Sequence, residues 1–292
     1  MSRPRGSVDT LAASPTLRRK RLSRQLDALR SASGLTVDAV AKKAKALRPD
    51  RPWSAAKLTR LETQQWKRLH TDDLLALLDV YGVIDKAERA SYVRTATEAS
   101  QTGWWVNYSD VLGSGAYVDL ETEATRIRTY EVSFIPGLLQ TEEYARALIS
   151  SGVPNDREVE RRVEARMMRQ TLLAPEAGPQ LWAVLDEAVF HRIPADVLPG
   201  QVQRLLDAQQ PDARVRIQVL PFSAGPHPAM TGQFVILDFP MDPSTVYLEQ
   251  SVSGLLPEDP VVMDHYETLY DRVHAQALSV EASRDFLKAL ID

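Results

Sequence analysis

Cysteine is absent from this 292-residue chain. That removes disulfides, thiolate metal sites, iron–sulfur clusters and cysteine nucleophiles. No run of about eighteen apolar residues exists, so a membrane-spanning helix is not expected. The opening segment MSRPRGSVDTLAASPTLRRKR lacks the apolar centre of a secretory signal. A cytoplasmic location is therefore expected. Catalytic signatures are missing too: there is no GxxxxGK[ST], no GxGxxG after a strand, no GxSxG and no HExxH. His191, His227, His265 and His274 are scattered, and Asp264–His265 reads as a surface pair. Glu187 with His191 supplies only two of the ligands a metal site needs. A Ser–His–Asp site assembled in three dimensions stays open, but no nucleophile stands out. No enzyme activity, cofactor or metal is expected.

What is present suffices for two domains: 44% of the residues are hydrophobic and 25% charged. The net charge of −4 conceals an asymmetry. From Met1 to His70 there are 17 Lys plus Arg against 5 Asp plus Glu, and from residue 71 onward 18 against 34. A basic end on an acidic body is the pattern of a protein that meets phosphate at one end only. A solvated basic tail would carry the same charge.

Residues 1–16, rich in Pro, Ser and Gly, read as a flexible basic arm, with Arg3 and Arg5 able to reach a minor groove. Leu22, Leu26 and Leu29 then mark a helix that Gly34 stops. Thr36 is placed to cap a second helix with Val37, Val40, Ala41 and Ala44 on its apolar face. Two prolines in LRPDRP forbid its continuation. The third helix opens on Ser54 as N-cap, with Trp53 positioned to staple onto Leu58. Leu58 and Leu61 point inward, leaving Ala55, Ala56, Lys57, Thr59 and Arg60 outward. Small residues let a helix approach a major groove closely, and arginine pairs bidentately with guanine. Thr71 is placed to cap a fourth helix that Gly82 ends, and Asp85 with Glu88 has capping-box spacing for a fifth. By spacing alone the module is a DNA-binding domain or a structural bundle.

The stretches GLTVDAVAKKA, WSAAKLTRLET and LHTDDLLALLDVYGV resemble the Cro/repressor-type (XRE) helix-turn-helix family over Leu22–Val83. The resemblance implies that Ala55, Ala56, Lys57 and Arg60 face bases or phosphates, and that Glu62 holds the following turn; Ser54 at the helix mouth and outward-facing Thr59 join them as DNA-binding candidates. It also implies a homodimer on double-stranded DNA, nucleoid-associated when bound. Two departures stand out. KALRPDRPW is longer than the usual turn, so Arg48 and Arg51 are candidates for backbone contacts, and Gln64 or Gln65 occupies a customary glycine position.

Beyond Gly103 an aromatic set begins: Trp104, Trp105, Tyr108, Tyr117, Tyr130 and Phe134. It reads equally as pocket for a small-molecule effector, partner interface or core. LETEATRIRTYE has helical period through Leu120, Ala124 and Ile127. DREVERRVEARMMRQTLL is an amphipathic helix whose arginines read as a solvated face, diluted by glutamates. QLWAVLDEAVF, VRIQVLPF, GQFVILDF and STVYLEQ read as strands, and residues 260–290 as helical. The expected architecture is an all-α helix-turn-helix domain (17–82), a connecting helix (83–102) and an α+β domain (103–292) with a small, mostly antiparallel sheet. GWWVNYSDVL and IPGLLQTEEYARA resemble the C-terminal domain of actinobacterial developmental regulators. That resemblance implies a small partner protein in an antitoxin-like arrangement.

Overall fold

The structure, a computed structural model, describes residues 15–66, 68–100, 103–112, 115–173, 178–210, 213–250, 254–257 and 259–292. The chain divides into two compact units, Met1–Val106 and Asn107–Asp292.

The first unit holds α1 (Pro15–Ser33), α2 (Val37–Leu47), α3 (Ala55–Glu62), α4 (Thr71–Tyr81) and α5 (Lys86–Glu98). Their boundaries follow from capping chemistry. Thr36 accepts from the amide of Ala39, Ser54 from Lys57 and Asp85 from Glu88, each satisfying a donor that the first helical turn leaves free. Gly34 and Gly82 end their helices in the left-handed region. One cap differs from expectation: Thr71 is the first helical residue of α4, and His70 precedes it without a side-chain cap bond. Leu22, Leu26, Val40, Leu58, Leu61, Leu74, Leu77 and Leu78 form one core with Trp53 and Trp66. Tyr92, Ala96 and Ala99 belong to that same core. The segment expected as a connector between domains is therefore an integral helix of the first unit. Of the expected arm, Pro15 and Thr16 already lie in α1, and Arg3 and Arg5 lie outside the described residues.

The second unit is α+β. A five-stranded sheet has the order β3–β2–β1–β4–β5, with β1 (Arg126–Glu131), β2 (Gln180–Asp186), β3 (Val215–Leu220), β4 (Phe234–Asp238) and β5 (Thr245–Tyr247). It is mixed rather than mostly antiparallel: β1–β2 and β2–β3 are parallel, β1–β4 and β4–β5 antiparallel. The parallel pairs follow from helical crossovers, since a parallel return needs a connection of a dozen residues or so. Those connections are α8 (Glu142–Ser150) with α9 (Asp156–Gln170) after β1, and α10 (Leu198–Ala208) after β2. The short α6 (Ser109–Leu112) and α7 (Ala116–Glu123) precede the sheet, and α11 (Pro260–Gln276) and α12 (Val280–Ala289) close the chain.

The stretch 118–130, expected as a single helix, breaks in two. Ala124 turns extended at the end of α7, and RIRTYE becomes the central strand. The alternation along the strands assigns two faces. Tyr130, Val184, Phe234, Ile236 and Val246 pack with Leu269, Tyr270 and Val273 of α11. Ile127, Thr129, Glu131, Leu181, Val235 and Tyr247 face the other way and line a cavity.

Candidate functional site

In the first unit α3 is held at three points. At its start, Ser54 caps the helix. At its end, the Leu61 carbonyl, one of the acceptors that a helix C-terminus leaves unpaired, receives the Ser23 hydroxyl at 2.5 Å. The Trp66 indole donates in turn to Ser23 at 3.0 Å. Glu62 accepts from Arg30 of α1 at 2.6 Å, and Arg30 also reaches Asp27 at 2.6 Å. Glu62 thus holds the end of α3 as expected, through an ion pair to α1. Gln64 adopts φ 64°, and the Gln65 amide bonds to the Arg60 carbonyl at 2.8 Å. Gln64 performs the left-handed turn for which glycine is the usual residue.

The third anchor was not visible in the sequence. Asp73, buried in the first turn of α4, receives Arg51 through two bonds of 2.7 and 2.9 Å and Lys57 at 2.8 Å. Burial opposes ionisation of Asp73, but the hydrogen bonds from Arg51 and Lys57 outweigh it and hold its carboxyl below the usual carboxylate range. Lys57 also lies 4.3 Å above the Trp53 ring. The long α2–α3 connection is thereby fastened to α4. Arg48 pairs with Asp50 at 2.9 Å and Asp72 at 3.4 Å on the surface. Of the cations expected at an interface, Arg48, Arg51 and Lys57 are each engaged by a carboxylate.

Arg60 differs. It is exposed and has no ion pair among the described residues. Ala56, Thr59 and Thr63 are also exposed, and with Arg60 they fall at i, i+3, i+4 and i+7, one stripe opposite buried Leu58 and Leu61. Ser54 is exposed at the mouth of the helix and Ala55 half-buried. Thr63, whose hydroxyl bonds to the Thr59 carbonyl, extends the expected face by one turn. Lys42, Lys43 and Lys45 on α2 are exposed as well.

The aromatic set does not act as one group. Trp104 and Trp105 belong to the first unit and meet edge-on at 6.4 Å. Within the second unit, Tyr108 packs under Arg161 at 4.2 Å and donates to Glu164 at 3.1 Å. Tyr130 is core: fully buried, it donates to Asp186 at 3.1 Å and stands 3.3 Å from His227 Nε2. Burial and the Asp186 charge push its phenol well above the ordinary tyrosine value.

Tyr117 and Phe134 do line a cavity, of about 770 Å³, between one sheet face, α7 and α9. Tyr117 stacks on Tyr247 at 4.1 Å. Gly254 allows this, because a Cβ there would lie 2.0 Å from the Tyr247 ring. Glu121, buried beneath Tyr117, takes the Tyr117 hydroxyl at 2.9 Å and both arms of Arg169 at 2.5 and 2.7 Å. Burial works against the Arg169 charge, and the Glu121 carboxylate outweighs it. Glu131, 5% exposed, has Thr129 Oγ1 at 2.8 Å from Oε1. Burial pushes its carboxyl up to about 8. Arg162, Arg166 and Arg169 of α9 line the cavity together. These arginines were expected on a solvated face, and that reading is corrected for Arg166 and Arg169, whereas Arg162 keeps its expected pair with Glu158 and stays 41% exposed at the rim. Among the described residues no helix is long and apolar enough to cross a membrane.

Comparison with known families agrees with this division. A helix-turn-helix domain matches residues 21–91, spanning α1 to α5. A domain of unknown function, DUF5753, matches residues 114–289, which include the whole sheet and the cavity lining except Val111 and Leu112. No curated protein and no solved structure matches the chain. The first unit therefore carries a helix-turn-helix domain, the DNA-binding module of transcription regulators, and the chain as a whole belongs to the DUF5753 family.

Proposed function

We propose that the protein is a sequence-specific transcriptional regulator of the cytoplasm. It reads a roughly palindromic operator as a homodimer through α3 and is modulated through its C-terminal domain, without catalysis. The observation that carries this reading is the exposed Ala56–Thr59–Arg60–Thr63 stripe on a helix whose ends are pinned by Ser54, Ser23 and Glu62. Small side chains flank a single arginine free of internal carboxylates, which suits close approach and guanine recognition. Lys57 and Arg51 support the reading indirectly, by fixing the angle of α3 through Asp73. The similarity to XRE-type and actinobacterial developmental regulators points the same way. Two-fold symmetry sets half-sites about 10 base pairs apart or a multiple of that spacing. Selection from a random duplex pool tests this: a palindromic motif is expected, whereas salt-sensitive binding to every duplex alike contradicts it.

The charge distribution favours a second role beside the first. With 18 basic against 34 acidic residues beyond His70, the body of the protein suits capture of a small basic partner protein, as in an antitoxin, with DNA binding serving autoregulation. Co-purification of the full chain with the product of a neighbouring small gene tests it, and failure to form a salt-sensitive complex with that product contradicts it.

A further inference from the structure

The cavity of the second unit contains two polar groups that the fold leaves incompletely satisfied. Glu131 Oε2 is buried and has no hydrogen-bond partner. A buried polar atom left unpaired is costly, so such an atom in a native protein calls for an explanation. Arg166 is the second. Its neighbours on the same helix face are neutralised, Arg162 by Glu158 at 2.8 Å and Arg169 by Glu121. Arg166 instead donates to the neutral Gln140 side chain at 2.8 Å and has no carboxylate within ion-pair distance among the described residues. Burial, with Arg169 as a like-charged neighbour, holds its guanidinium down at about 10. A cavity of about 770 Å³ falls within the range of sites for drug-sized ligands, typically about 300–1,000 Å³ with apolar walls and a few placed polar groups. Here Tyr117, Phe134, Leu148 and Tyr247 supply apolar wall between the charged and polar side chains.

We propose that this cavity binds a drug-sized organic anion with an aromatic body, its acidic group pairing with Arg166 and a neutral polar group meeting Glu131 Oε2. A cation would meet the Arg166 guanidinium, which has no carboxylate in ion-pair contact among the described residues. An anion finds one guanidinium with no carboxylate in contact, Glu249 lining the cavity beyond ion-pair distance, and pairing there relieves the cost of keeping Arg166 part-buried. Glu131 does not repel such a ligand at neutral pH, because burial keeps its carboxyl largely protonated. The proposal names the effector class of the regulator reading above and rests on that reading only for the ligand's role, not for its binding.

The test uses the full chain and two matched probes, 8-anilinonaphthalene-1-sulfonate and its uncharged counterpart N-phenyl-1-naphthylamine. Wild type is expected to bind the sulfonate at one saturable site, at least tenfold more tightly than the neutral probe. Arg166→Gln should remove that preference while leaving neutral-probe affinity within threefold. Arg166→Lys should retain most of the preference, and Arg157→Gln, at an exposed position of the same helix, should retain all of it. Equal affinity of wild type for the two probes overturns the proposal, and this comparison needs no variant to fold. A preference that survives in folded Arg166→Gln overturns it also. Selected-duplex binding by Arg166→Gln, measured in parallel, separates the two readings: it should equal wild type whatever the probes report.

Discussion

Removing the Asp73 carboxylate tests how α3 is held. Asp73→Ala deletes three charge-assisted hydrogen bonds, two from Arg51 and one from Lys57, at a side chain 3% exposed. Breaking a buried ion pair by removing one partner costs about 3–5 kcal/mol when the surviving charge stays buried. Here the survivors are 25% and 19% exposed, so water recovers part of the loss and about 2–4 kcal/mol is expected. For a unit of this size that corresponds to a fall in Tm of about 10–25 °C. Urea unfolding followed by tryptophan fluorescence reports on it, since Trp53 and Trp66 sit in the same core. The pH dependence gives an independent check. The folded-state pKa of Asp73 is depressed, so its contribution is complete above the unfolded carboxylate value of about 4 and is lost as pH falls through the folded value. Asp73→Ala should therefore narrow its deficit against wild type in that acid range. A loss below about 0.5 kcal/mol at neutral pH, or a deficit that does not change with acid, would refute the buried-anchor reasoning.

Four further outcomes follow from the same geometry. Gln64→Gly should stabilise the first unit by about 0.5–1 kcal/mol in urea titration, because glycine takes the left-handed turn without strain; destabilisation would mean the Gln64 side chain contributes more than its backbone costs. Arg30→Ala and Glu62→Ala should show a coupling of about 0.5–2 kcal/mol in a double-mutant cycle, and strict additivity would remove the Arg30 brace from the account. Glu131 titrates near 8 when folded against 4.5 as a free side chain. Wild type should thus lose stability relative to Glu131→Gln as pH rises between those values, by up to about 1.4 kcal/mol per pH unit. Parallel pH–stability curves for the two chains would contradict a buried neutral carboxyl. Gly254→Ala should open the Tyr117–Tyr247 stack, visible as a change in near-ultraviolet tyrosine dichroism; an unchanged spectrum would show that the 254–257 segment yields instead.

Local chemistry made most of the first unit legible in advance. Ser54, Thr36, Asp85 and the two helix-ending glycines act through neighbours within four residues, and leucine spacing alone marks the buried side of α3. The parts that escaped depend on distance along the chain. Asp73 looks like an ordinary first-turn acid until Arg51, 22 residues earlier, folds onto it. Arg166 and Arg169 of α9 look solvated because the wall they face is built from α7, β1 and β5, which periodicity within α9 does not reveal. The stretch at 126–131 misleads for a similar reason. Its Leu120–Ala124–Ile127 spacing continues a helical period, but pairing with β2 on one edge and β4 on the other makes it the centre of the sheet. Tertiary pairing overrides local period there.

In the proposed docking Arg60, on the exposed stripe of α3, reads a base, whereas Lys57 positions the helix from within. Binding to the selected operator should be measured for wild type, Arg60→Ala and Lys57→Ala, with each half-site position varied in turn. Arg60→Ala should lose about 1–3 kcal/mol and relax preference at one position per half-site. Lys57→Ala should lower unfolding stability and keep the preference at every position. Unchanged operator affinity and preference in Arg60→Ala would rule out base reading by this side chain.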